Sequence, residues 1–165
     1  MDEATARFEL PFILPGQAQK ELYHNEALAR VDALLHSAVE GAPLAQAPGQ
    51  PGEGQCWIVA ASGGGVWSGK DHHLAAWTAG GWRYIEPQAG MRVWNKAAGY
   101  WVHWTGTAWS NGELPVGSLQ VDGQKVVAGR QPPILSPSGG TTIDAEARAA
   151  LAQIIATLMS HGLIG

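Results

Sequence analysis

The chain has 165 residues, 45% of them apolar and only 15% charged, with 22 glycines, 10 prolines and a net charge of −4. That composition supports a folded core and argues against wholesale disorder, while the scattered lysines and arginines form no basic stripe of the kind nucleic-acid binders carry. The single cysteine, Cys56, excludes an intrachain disulfide and a multi-cysteine zinc site, and no run approaches the roughly 20 apolar residues that span a bilayer.

The acidic start Met1-Asp2-Glu3 and a short apolar run at residues 10–14, broken by Pro11, do not read as a signal peptide. Synthesis in a reducing cytoplasm is expected, with any later exposure owed to an assembly that carries the chain along. Residues 1–40 read as a helical arm. Pro15 and Gly16 precede a helix over 16–40, and Gly41 and Pro43 close it. Ala18, Leu22, Leu28, Val31, Leu35 and Ala38 fall on one stripe, which either packs on its own domain or faces sister subunits. Residues 41–55 carry three prolines and read as a semi-extended Pro/Gly linker. On this reading the arm anchors the protein and the module beyond the linker folds without it.

Residues 56–113 hold all eight tryptophans. Short strand-like runs alternate here with glycine-bearing turns at 62–65, 78–81, 96–99 and 105–108. Counting outward from these turns places Trp77 opposite Trp82, Trp94 opposite Trp101, Asn95 opposite Tyr100 and Trp104 opposite Trp109. An antiparallel meander or small barrel of about six strands follows. Residues 114–140 carry the Asp122-Gly123 pair of a type I′ hairpin and an extended connector. Residues 141–165 read as a C-terminal helix opening at Thr141 to Asp144 and closed by Gly162. Its stripe is Ala147, Leu151, Ile154, Leu158 and His161. The fold class is α+β, mainly β.

The order of these pieces has a known parallel. Leu10-Pro11-Phe12-Ile13-Leu14-Pro15-Gly16-Gln17-Ala18-Gln19-Lys20-Glu21 is followed by His24-Asn25-Glu26-Ala27-Leu28, then by Gly90-Met91-Arg92-Val93-Trp94 and Trp104-Thr105-Gly106-Thr107-Ala108-Trp109. With the ending Val121-Asp122-Gly123-Gln124 and His161-Gly162-Leu163-Ile164, this resembles an uncharacterised family of tail-fibre or head-spike proteins. Its members occur in alphaproteobacterial phages, prophages and gene transfer agents. The resemblance implies a virion location, host attachment and other virion proteins as partners; it carries over no catalytic residue and no cofactor.

The chemistry favours binding. The C–H face of a sugar packs on an indole while its hydroxyls meet polar neighbours, so exposed tryptophans could form a glycan platform. The candidates are Trp77, Trp82, Trp94, Trp101, Trp104 and Trp109, with Tyr84 and Tyr100; the competing reading makes them the core of a module poor in Leu and Ile. Trp101 and Trp104 stand three apart and must point to opposite faces of a regular strand. Asp71, His72, His73 and His103 lack metal-ligand spacing, and Asp71, Glu86 and Glu113 have no recognisable catalytic context. A homo-oligomer, most simply a trimer, would let both apolar stripes close by symmetry. The two function classes left are a host-glycan-binding virion subunit and a purely structural adaptor or decoration protein.

Overall fold

Cross-strand aromatic pairing sets the register of the fold, which is seen in a computed structural model that describes residues 4–8, 10, 12–13 and 20–165. The chain divides into two compact units, Met1–Leu114 and Pro115–Gly165.

In the first unit, helix α1 (Lys20–Leu34) precedes strand β1 (Ala38–Val39). The strands β2 (Cys56–Ile58), β3 (Leu74–Thr78) and β4 (Gly81–Ile85) form an antiparallel sheet in the order β2-β3-β4. A second sheet joins β5 (Arg92–Asn95) and β6 (Tyr100–His103) to β1, in the order β1-β5-β6. The pairs Trp77 with Trp82, Trp94 with Trp101 and Asn95 with Tyr100 stand opposite each other as expected, and Trp104 meets Trp109 in an isolated bridge.

The meander is thus split between two three-stranded sheets. Alternation then sorts their side chains. Val39, Val93 and Val102 from one sheet join Cys56, Ile58, Leu74, Ala76 and Ile85 from the other, with Ala33 of α1, in one buried cluster. The opposite face of β2-β3-β4 builds a second core from Trp57, Val59, Trp67 and Ala75. Trp67 reaches it from a short 3-10 helix, Gly65–Trp67. The turn at 62–65 is therefore no hairpin loop. It lies so close to its neighbours that a Cβ on Gly63 would come within 2.5 Å of Val59 Cγ1.

The N-terminal region departs from its expected form. The helix start expected at residue 16, and Ala18 of its stripe, lie outside the described residues. The helix stops at Leu34 rather than running to residue 40. Its last carbonyls are taken by Arg7, whose Nη1 donates to Asp32 O at 2.7 Å and Ala33 O at 3.1 Å, and by Ser37 Oγ, which donates to Leu34 O at 2.7 Å. His36 then turns the chain at φ 43°. Ala38 and Val39 run parallel to Trp94 and Asn95 in the sheet.

Polar contacts, not the apolar stripe, fasten α1. Buried Asp32 accepts hydrogen bonds from Thr5 Oγ1 at 2.7 Å, Phe8 N at 2.8 Å and Arg7 N at 3.2 Å. Leu22, Val31 and Leu35 of the stripe are exposed. Because Val39 is fully buried in the sheet, residues 1–40 are no detachable arm, and a module lacking them would lose a strand.

Residues 41–55 are likewise structural. Leu44 N donates to Ile58 O at 3.0 Å and Ala60 N to Leu44 O at 2.8 Å, while Gly54 and Gln55 bond both backbone groups of Trp77. Their three prolines resist regular ladders, yet the intervening amides complete the edge of the sheet.

Asp32→Ala should lower the stability of this unit by about 2–3 kcal/mol, since it leaves three donors without their charged acceptor. Urea unfolding followed by tryptophan fluorescence checks this; a change below about 0.5 kcal/mol would mean that the Thr5–Phe8 segment does not hold the helix.

In the second unit, β7 (Leu119–Val121) and β8 (Gln124–Val127) form a hairpin. Asp122 at φ 49° and Gly123 at φ 73° are the two left-handed positions that a type I′ turn requires. Helix α2 (Ala145–Ser160) is capped by Asp144, whose side chain accepts from Ala147 N, and Gly162 follows it at φ 68°. Gln131 bridges to Ile164 in parallel, bringing the C-terminus back to the connector. No helix among the described residues is long and apolar enough to cross a membrane.

Candidate functional site

The eight aromatic candidates occupy three different environments. Trp77, Trp82 and Tyr84 pack against the second core. Trp82 is its hub, edge-on to Trp77, Trp67 and Trp57 at centroid distances of 5.0, 5.2 and 5.6 Å. Tyr84 donates its hydroxyl to Val66 O at 2.8 Å, and burial pushes its phenol above the ordinary value. Lys70 Nζ lies 5.4 Å from the centre of its ring.

The second environment surrounds the fourth turn. Trp104 is buried against His72 and Trp109, at 5.3 and 5.6 Å between centroids. Trp109 packs on the first core and donates its indole N–H to His72 O at 2.8 Å. Tyr100 also packs there, and its hydroxyl donates to Asn111 Oδ1 at 2.8 Å. The pairs Trp77/Trp82 and Trp104/Trp109 both lean on cores.

The third environment is the outward face of β1-β5-β6. Val93 and Asn95 point inward and are buried, so Arg92 and Trp94 point outward; Trp101 and His103 stand opposite them on β6. Trp101, at 43% exposure, is the exposed tryptophan of the eight, and Trp104, three residues on, is at 9%. Trp94 meets Trp101 edge-on at 5.4 Å. Arg92 holds its guanidinium 5.9 Å from the centre of the Trp101 ring, and it makes no ion pair or side-chain hydrogen bond among the described residues. Ala38, half-buried beside Trp94 on β1, keeps the sheet low next to the rings.

This arrangement offers an indole face, a second indole at right angles and a cation with free donors. Chemically it can take a ring with C–H groups on one side and hydroxyl or carboxylate oxygens at its rim. Sequence reasoning found the two tryptophans, weighed His103 only as a metal ligand and missed Arg92 as a binding residue. The signal was present, since both stand two positions from a platform tryptophan on their own strands.

Asp71, His72 and His73 are committed to structure, while Glu86 and Glu113 are exposed and apart from the platform strands. Asp71 Oδ1 accepts from Gly63 N at 3.0 Å, His73 Nδ1 lies 3.0 Å from Asp71 O, and His72 sits at φ 65° in the turn. No group of three or more His, Cys, Asp or Glu among the described residues could hold a metal ion. A cavity of about 530 Å³ lies between α1 and the β3–β4 hairpin, lined in part by Tyr23, Glu26, Cys56 and Arg83. Glu26 on its wall is paired: Arg83 Nε donates to it at 2.5 Å and Arg30 Nε at 3.1 Å. Burial pushes the Glu26 carboxyl up, but these two hydrogen bonds outweigh it and hold the group below its ordinary value.

Burial pushes the Cys56 thiol up to about 12, so it is no nucleophile. Because the folded value exceeds the unfolded one, the associated stability is intact below pH 9 and is lost as pH rises towards 12. A thiol-reactive dye at pH 8 should label Cys56 only on unfolding, and labelling of native protein at the rate of a free thiol would contradict its burial.

Residues 24–110, more than half of the chain, match the family model described as "Protein of unknown function (DUF2793)". The match runs from within α1 through both sheets to the Trp104–Trp109 bridge, and so contains the platform. No curated protein matches the chain.

Proposed function

We propose that this chain, which belongs to the family of unknown function matched above, is a virion structural protein, a tail-fibre or spike subunit, that attaches to host-surface glycan. The observation that carries the reading is the open pair Trp94 and Trp101 with Arg92 beside it. A sheet that needs only one face for its core leaves the other to polar residues. Here that face carries two indoles, one of them exposed. The virion location rests on the resemblance of residues 10–28 and of the C-terminal ending to phage and gene-transfer-agent proteins. Other virion proteins are its assembly partners on this reading, and the exposed stripe Leu22, Val31 and Leu35 supplies a surface for them.

Each platform binds weakly. Stacking and one charge-assisted contact amount to a few kcal/mol, which corresponds to about millimolar affinity. Several platforms on one oligomer, a trimer in this proposal, would raise the avidity by about 10²-fold or more. The alternative is a structural adaptor without a ligand, and the use of Trp57, Trp67 and Trp104 as buried core favours it.

Binding of the intact protein to purified host-surface polysaccharide separates the two. Saturable binding that is lost in the Trp94→Ala/Trp101→Ala double variant is expected. Absence of binding by the wild-type protein would leave the structural reading standing, and binding that the double variant retains would place attachment on other residues.

A further inference from the structure

We propose that Pro115–Gly165 is a self-association unit whose hydrophobic core forms between three copies of the chain, around α2. It names the partner that multivalent binding needs, but its test reads mass rather than glycan binding, so either reading can fail alone.

The unit has well-specified elements and almost no interior. Ile164 alone is buried in it, and α2 has no buried residue. Twelve large apolar side chains of the same segment are exposed, among them Leu119, Val121 and Val126 on the hairpin and Leu151, Ile154 and Met159 on the helix. Ordering a residue costs about 1–2 kcal/mol, and one buried side chain returns only about 1.5–3 kcal/mol. A lone helix of this length is marginal in water even when well capped. The unit therefore needs a surface to bury against.

Several features identify that surface as further copies of itself. Asp122, Asp144 and Glu146 are balanced by Lys125, Arg130 and Arg148, so the unit is neutral and the net charge of −4 lies on residues 1–114. Copies do not repel one another through this segment. Residues 149–160 of α2 carry no charge, which suits a helix surrounded by others. The spacing of Leu151, Ile154 and Leu158 puts leucine at the two a positions and isoleucine at the central d, between Ala147 in the first turn and the C-cap His161. That choice disfavours the two-stranded coil and favours higher bundles. Ile155 and Met159 widen the apolar arc to roughly 140° at 100° per residue, broad enough for a helix with two neighbours.

Sedimentation equilibrium of the full chain at micromolar concentration tests this. The expected mass is three times the 17.4 kDa of one chain. The double variant Ile154→Asp/Leu158→Asp should sediment as one chain. All eight tryptophans lie in the other unit, so their near-ultraviolet circular dichroism should stay unchanged. Leu158→Ala, too mild to unfold a half-exposed helix position, should raise the trimer dissociation constant at least tenfold. A monomeric or dimeric wild-type chain would overturn the proposal, as would a charged double variant that keeps its trimer mass. A monomer would assign the apolar face to a foreign protein.

Discussion

Trp67→Ala is expected to destabilise the first unit by about 3–5 kcal/mol, the range for truncating a fully buried tryptophan. Trp67 has no solvent exposure and meets the hub ring of Trp82 edge-on. Its removal opens a cavity in a core that has no aliphatic side chain large enough to refill it, since Val59 and Ala75 are its other buried members besides Trp57. For a domain of this size such a loss is a large share of total stability. Trp67→Phe should be much milder. It keeps an aromatic edge against Trp82 and removes an indole N–H that has no acceptor among the described residues. Thermal unfolding of both variants gives the result; an alanine variant with a midpoint within two degrees of wild type would show that the second core does not hold the unit together.

Trp101→Ala should do the reverse, leaving folding intact and abolishing attachment. The ring is 43% exposed and touches Trp94 edge-on, so its loss should change stability by less than about 1 kcal/mol. Loss of about 1 kcal/mol of sugar stacking per site weakens one platform about fivefold. On a trimer engaging three sites, the effect compounds to about a hundredfold. Arg92→Gln should weaken binding to an acidic polysaccharide more than to a neutral one, because it removes the charge but keeps a donor. Surface plasmon resonance on immobilised polysaccharide, compared with the melting temperature, measures both halves. A Trp101→Ala protein that melts normally and binds normally would exclude this ring from any attachment role.

Much of the β-module was legible because turn chemistry and side-chain alternation act over a few residues. Gly99 and Gly81 sit at positive φ in their turns, and counting from those turns gave the register of Trp94/Trp101 and Trp77/Trp82. Asp122-Gly123 and the Asp144 cap were readable for the same reason. The parallel pairing of Ala38–Val39 with β5 was not, because it joins residues more than fifty positions apart and a two-residue strand has no period of its own. Helix α1 misled through its apolar stripe. Its attachment to Thr5, Arg7 and Phe8 runs through the Asp32 carboxylate, which hydrophobic patterning does not register. The site was half legible: alternation separated Trp101 from Trp104, but which face of each sheet would be covered depended on the loop that carries Trp67. That loop covers β2-β3-β4 and leaves Trp94, Trp101 and Arg92 on the outward face of the other sheet.

The indole N–H resonances of the intact protein, followed by NMR during titration with host-surface polysaccharide, test the glycan platform most directly. The account predicts that the signals of Trp94 and Trp101 shift in a saturable way while those of Trp57 and Trp67 stay fixed. Shifts confined to other tryptophans, or none at saturating polysaccharide, would contradict it.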